Sequence, residues 1–203
     1  HLLSVTIPPT AEMLRRVMNL AQITQSHALS FFHLSSPDLL LGWDADPASR
    51  NVFGVMRKDP ALARDGIRLR QIGQTIIEML GGKKIHPTWV VPGGVAEPLD
   101  TAKRDAILAL LPEGLDVAKR TYAFYPTLVP RFVDEARHFG TQPTLFLSLV
   151  SPKGHLEHYD GLLRIKDANG NIVEDMVPAI EYERLIGEAA EDWSYMKFPY
   201  YKP

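Results

Sequence analysis

The sequence predicts a mainly α-helical chain with a small antiparallel β element, an α+β fold, on three observations. Residues 10 to 35 carry apolar side chains at helical spacing, and Asp59-Pro60 opens a second such run. From Thr144 onward the apolar period shortens to that of a strand. The expected organisation is one section over 1–203: mostly helical over 1–140, a β-hairpin region over 141–177, then a helix and an extended aromatic tail over 178–203.

In chain order, Thr10 can cap the first helix, and Glu12 sits in its first turn, where a carboxylate meets the positive end of the helix dipole. Leu14, Val17, Met18, Ala21, Ala28, Phe31 and Phe32 recur so as to bury one face. Pro37 biases Ser36 away from helical backbone, so SSPD is expected to end this helix and turn toward LLLGWD. The second helix has Asp59 as its cap and Pro60 at its first position; Leu62, Leu69, Ile72, Ile76 and Leu80 face a core, and Gly81 is the stop. Gly66 costs about 1 kcal/mol relative to alanine inside a helix, which leaves a division into two pieces near ARDG open.

Helices are also expected over 97–111 and 115–139, with Pro112, Pro126 and Pro130 breaking or bending the second stretch. TLFLSLV reads as a short strand, and LLRIKDANGNIVEDMV as two strands around Asn169-Gly170. A last helix is expected over 178–190. DWSYMKFPYYKP then reads as extended chain laid on a surface, and its aromatic residues imply further polypeptide beyond it or a partner that covers it.

A chain of 203 residues with 45% hydrophobic and 23% charged residues fits one or two globular domains. Its formal charge of -2, with lysines and arginines dispersed, lacks the basic footprint of a nucleic-acid binder. No apolar run approaches the ~20 residues that cross a bilayer, and HLLSVTIPPT carries no export pattern, so no membrane association is expected. The absence of cysteine excludes a disulfide framework, a Cys-based zinc or iron-sulfur site and a thiol nucleophile within these residues.

Among the histidines, His27 and His33 are six residues apart and cannot act as a helical metal pair; His27 shares a face with Ser30 and Leu34, where a hydrogen-bonded structural histidine is the commoner outcome than a ligand. His155 and His158 read as surface residues, or as a weak divalent site with Glu157 or Asp160. GGKKIHPTWVVPGG has neither phosphate-loop nor dinucleotide-loop spacing. Its glycine pairs permit sharp turns, and Pro87 and Pro92 stiffen it, so it reads as a rigid connector that fixes the direction of His86, toward a hydrogen bond with a helix or with a neighbouring protein chain.

GGKKIHPTWVVPGGV also resembles the GG(K/R)xxHP...PGG segment of nickel-iron hydrogenase large subunits, in the form of the cytoplasmic bidirectional class that includes NAD-reducing enzymes. QSHALSFFHLSSPDLLLG resembles that family's helix with an HxxHFYxL-type pattern; HYDGLLRIKDANGNIVEDMV and DWSYMKFPYYKP resemble its later hairpin and its WSYxKFPY segment. The segments follow the family's order and span residues 4 to 203 without a large insertion.

The resemblance implies a central section of a large subunit that oxidises or forms dihydrogen at a nickel-iron centre carrying CO and CN ligands. The partners it implies are an Fe-S small subunit of the hydrogenase and diaphorase subunits with Fe-S clusters, FMN and NAD. A cytoplasmic location follows from the class. The family's four cysteine ligands are absent here, so the isolated chain is expected to be inactive, and Ser26, His27 and His86 are the candidates for support around the active site. Ser26 stands where many relatives have an acidic residue; it could exchange a hydrogen bond near the centre. His1 falls near the family's CxxCxxxH region and receives no role. The alternative is a non-catalytic helical scaffold module binding other subunits through its stiff loops and aromatic end.

Overall fold

The computed structural model describes residues 5 to 202, so His1 lies outside the described residues. Contacts divide the chain into two units between Ala136 and Arg137. The first is helical and the second is built on short antiparallel sheets.

In the first unit, α1 (Pro9–Ala28) begins one residue before the expected cap: Pro9 takes the first helical position, where its missing N–H costs nothing. The chain does not leave the helix at SSPD. It passes through a π-helical stretch, Leu29–Ser35, directly into α2 (Ser36–Leu41). The wider turn answers the problem set by Pro37, which cannot donate into a regular ladder. The Ser36 N–H reaches back to the Phe31 carbonyl, and its buried hydroxyl donates to the Phe32 carbonyl.

After α3 (Val52–Lys58), α4 runs unbroken over Pro60–Gly81. Asp59 caps it by accepting the Leu62 N–H at 2.9 Å, as its sequence predicts. The division near ARDG does not occur. Gly66 serves close packing instead: a Cβ there would stand 2.4 Å from Phe32 Cγ, and one at Gly73 would stand 2.9 Å from the Ala21 carbonyl oxygen. The two glycines lie two turns apart on one face of α4; Gly73 lets the α1 backbone approach it, and Gly66 makes room for the Phe32 ring of the π-helical stretch.

Gly82, in left-handed backbone at φ 74°, closes α4. The connector beyond it is less irregular than its composition suggests, because β1 (Val90–Val91) pairs antiparallel with β2 (Gly94–Val95). It leads to α5 (Thr101–Leu128), which starts later than expected because Asp100 caps it by accepting the Lys103 N–H at 2.7 Å. Pro112 does not break α5; the helix continues through Pro112 and Pro126, holding Ile107, Val117 and Leu128 in the core. A 3₁₀ turn (Val129–Phe132) and α6 (Val133–His138) follow. Two clusters make the core, one around Phe32, Val55 and Val117 and one around Ile72, Ile76 and Trp89.

In the second unit, β3 (Phe146–Val150), β4 (Leu162–Lys166) and β5 (Ile172–Val177) form an antiparallel sheet in that order, and the expected hairpin is present. Its turn is organised by Asp167, whose carboxylate accepts the Asn169 and Asn171 N–H groups and the Asn171 amide. Those bonds, the Asn171 side chain foremost, hold the Asp167 carboxyl below its usual range.

The expected helix over 178–190 is reduced to a 3₁₀ turn (Ala179–Glu181) and a single turn, α7 (Tyr182–Leu185). The chain then becomes β6 (Ile186–Ala190), which pairs antiparallel with β7 (Lys197–Tyr201). The aromatic tail is therefore half of a ladder. Gly187 accepts the ring of Tyr200 so closely that a Cβ would lie 2.4 Å from its Cζ, and Leu185 is buried beneath. Pairing with the next strand outweighs the local helical pattern.

Candidate functional site

Two concavities of the helical unit are walled by α1 and α4. The larger, about 870 Å³, is mostly apolar: Ile23, Phe31, Ile72, Leu115, Tyr122 and Tyr125 are among its walls, and His27 and Ser30 bring its polar atoms. Two bidentate ion pairs join α4 to α5. Arg68 holds Glu113 through bonds of 2.7 and 2.6 Å, and Arg120 holds Asp65 through bonds of 3.0 and 2.8 Å. The hydrogen bonds from Arg68 keep the Glu113 carboxyl below its usual range.

The smaller concavity, about 400 Å³, is lined by Gln22 and Gln25 of α1, Arg70 and Gln74 of α4, and Lys84 and His86 of the connector. Gln25 Nε2 donates to Gln22 Oε1 at 2.9 Å, and Lys84 lies 3.6 Å from Glu78. The Nε of Arg70 is buried and makes no hydrogen bond.

The sequence candidates are thus distributed rather than gathered. His27 faces the larger concavity, and its Nδ1–H donates to the Ile23 carbonyl at 2.9 Å, which fixes the tautomer and leaves Nε2 as an acceptor in the neutral ring. His86 lines the smaller one. Ser26 is exposed on α1 and lines neither.

The connector that carries His86 is anchored at both strands. Arg15 of α1 donates from Nη2 to the Val91 carbonyl at 2.7 Å, and from Nη2 and Nε to the Gly94 carbonyl at 2.6 and 3.1 Å. The buried Trp89 donates its indole N–H to the Glu97 carbonyl at 3.1 Å, and its own carbonyl accepts the Ala96 N–H at 2.8 Å. His86 itself adopts φ 50°, left-handed backbone that a non-glycine residue takes at some cost and that surrounding structure must hold.

Neither a nickel-iron centre nor a divalent metal fits a ligand set here. The 203 residues contain no cysteine, and no group of three or more His, Asp or Glu could hold a metal among the described residues. The His155–Asp160 loop uses Glu157 for local structure: one carboxylate oxygen accepts the His158 and Tyr159 N–H groups at 2.8 and 3.2 Å. Reasoning from residues missed Arg15, Arg70, Gln22 and Gln74. Their signal was polar side chains at i, i+3 or i, i+4 spacing amid apolar helix faces, which is also the signature of a solvated edge.

No known family model matches the chain. It is similar over 97% of its length to a solved structure of an NAD+-reducing NiFe hydrogenase in the H2-reduced state, at 46% identity and a TM-score of 0.91, covering 44% of that chain. An F420-non-reducing hydrogenase (vhu) polypeptide from Methanocaldococcus jannaschii is 38% identical over 98% of this chain and 47% of its own length. The β subunit of the NAD-reducing hydrogenase HoxS of Cupriavidus necator is 36% identical over 98% of this chain and 42% of its own. The chain spans under half the length of these relatives.

Proposed function

We propose that this chain, a nickel-iron hydrogenase large-subunit-like region, forms part of the catalytic large subunit of an enzyme that oxidises or forms dihydrogen and passes electrons through Fe-S partners to NAD. The observation that carries the reading is agreement in both sequence and backbone, at 46% identity and a TM-score of 0.91, with an NAD+-reducing NiFe hydrogenase. The M. jannaschii relative, named for not reducing F420, supports the hydrogenase class without favouring NAD as acceptor.

The metal centre, with its CO and CN ligands, would be held by cysteines outside these residues, and would supply the polarisation and cleavage of dihydrogen. FMN and NAD would sit on diaphorase partners. What these residues contribute is orientation. The α1–α4 pair sets the position of Ser26 and His27, and Arg15 with Trp89 braces the loop that aims His86. A location in the cytoplasm agrees with NAD as acceptor, and no described helix is long and apolar enough to cross a membrane.

The test is hydrogen-dependent reduction of a viologen dye and of NAD+ by the complete complex. Both reactions are expected. Dye reduction without NAD+ reduction would replace the acceptor; no hydrogen uptake by a nickel-loaded complex would favour the scaffold alternative.

A further inference from the structure

Arg70 sits on α4 with its Nε buried and without a hydrogen-bond partner among the described residues. An unpaired buried guanidinium N–H forfeits the water bonds it would otherwise have, so a site that retains one must gain a partner to be stable. The surrounding groups do not supply that partner. Lys84, the other fixed cation of the concavity, is matched by Glu78 at its rim, and no aspartate or glutamate lines the walls among the described residues. The neighbours that do line it, Gln22, Gln25 and Gln74, carry both a carbonyl acceptor and N–H donors, and none of their oxygens accepts from Arg70 Nε. Gln25 already engages the Gln22 oxygen, which leaves the Gln22 amide N–H groups turned to other use.

We propose that this concavity is a carboxylate-binding site, in which a planar monoanion accepts N–H bonds from the Arg70 guanidinium and from the Gln22 or Gln74 amide. Charge and shape both select that chemistry. Arg70 brings one positive charge and Lys84 is shared with Glu78 at 3.6 Å, so a monoanion matches the site more closely than a dianion such as phosphate. A guanidinium edge presents two parallel N–H groups that fit the two oxygens of a carboxylate. The group is either an aspartate or glutamate side chain of polypeptide beyond these 203 residues or a free small carboxylate. The site does not rest on the hydrogenase reading, since Arg70 and the glutamines carry it whatever the reaction.

The experiment is a structure of the complete protein that carries this chain, with its copurifying subunits, followed by calorimetric titration of the same preparation with acetate. A carboxylate oxygen of the polypeptide within about 3.2 Å of Arg70 Nε establishes the site and its source. Where no such side chain is present, saturable acetate binding that weakens at least tenfold in Arg70→Met, and less in Arg70→Lys, establishes a site for a free carboxylate. Arg70 Nε facing only water, a carbonyl or apolar atoms, with acetate binding absent or equal in wild type and Arg70→Met, overturns the proposal. The structural readout needs no variant, so a failure of Arg70→Met to fold leaves the test intact.

Discussion

The concavity on the His27 side of the α1–α4 pair has aliphatic and aromatic walls, and the two arginines that join its helices, Arg68 and Arg120, are each gripped by a carboxylate. The concavity on the His86 side has glutamine amides among its walls and an arginine whose buried Nε–H makes no hydrogen bond. Both draw on α1 and α4, with α5 completing the first and the connector the second. On the first side the helical unit pairs its own charges; on the second it leaves a buried N–H without a partner among the described residues. A surface left unfinished in this way points to assembly or ligation more directly than exposure does, because exposed apolar residues are common and buried N–H groups without a partner are not.

That contrast depends on close packing against α4, and the largest disturbance of the core comes from breaking it at Gly66, where three Phe32 atoms lie within 2.7 Å of a new Cβ. Gly66→Ala should gain about 1 kcal/mol of helix propensity, yet the new Cβ collides with Phe32, and overpacking of this kind costs about 1–3 kcal/mol. We expect net destabilisation in urea unfolding. Gly114→Ala is the control: its Cβ would meet Ile72 at 3.7 Å, ordinary contact, so the propensity gain should appear there undiminished. Equal gains at both positions would show that Phe32 can move aside and that the packing is loose.

Arg15→Met should come next. It removes three bonds to the connector, at a cost of about 1–3 kcal/mol, and should speed hydrogen exchange at the Ala96 amide, which bonds the Trp89 carbonyl. Unchanged exchange would mean that Trp89 alone braces the loop that carries His86.

The smallest effects belong to the exposed pairs on the closed side. Glu113 has its carboxyl lowered by Arg68, so its contribution is fully present above the ordinary carboxylate value of 4.5 and is lost as pH falls through the lower folded value. Acid unfolding of Arg68→Met should therefore start from slightly lower stability and lose less over that window. Raising the salt concentration should shrink the difference between the two proteins. An acid profile identical to wild type would mean that Arg68 adds nothing to the closed side.

Several elements were legible because their signals are local. Asp59-Pro60 opens α4 where its cap chemistry says it should, and Asn169-Gly170 turns the β4–β5 hairpin. The misses have a common cause: the deciding feature is a strand partner or a backbone form that composition does not announce. Pro37 reads as a stop, but a π-helical turn and the Ser36 bonds carry the helix past it. Residues 186–190 follow a helical pattern, but pairing with 197–201 makes them a strand. Among the candidate site residues, His86 stood out because it is held between Ile85 and Pro87, whereas Arg70 did not, since nothing in a helical sequence distinguishes an arginine that faces a concavity from one in water. The resemblance of the GGKKIHPTWVVPGGV segment reached the hydrogenase family sooner than geometry could, because the cysteine ligands that define its chemistry are not among these residues.

The most direct measurement is hydrogen-dependent viologen reduction by the complete complex carrying His86→Gly, read beside its nickel content and unfolding temperature. Glycine accepts the φ 50° backbone without strain, so the substitution removes the imidazole and leaves the loop free to keep its path. If the braced connector aims His86 at the active-site region, activity should fall by roughly tenfold, about 1.4 kcal/mol of barrier, at unchanged nickel content and unfolding temperature. Full activity with a lowered unfolding temperature would contradict it and reduce His86 to a buttress.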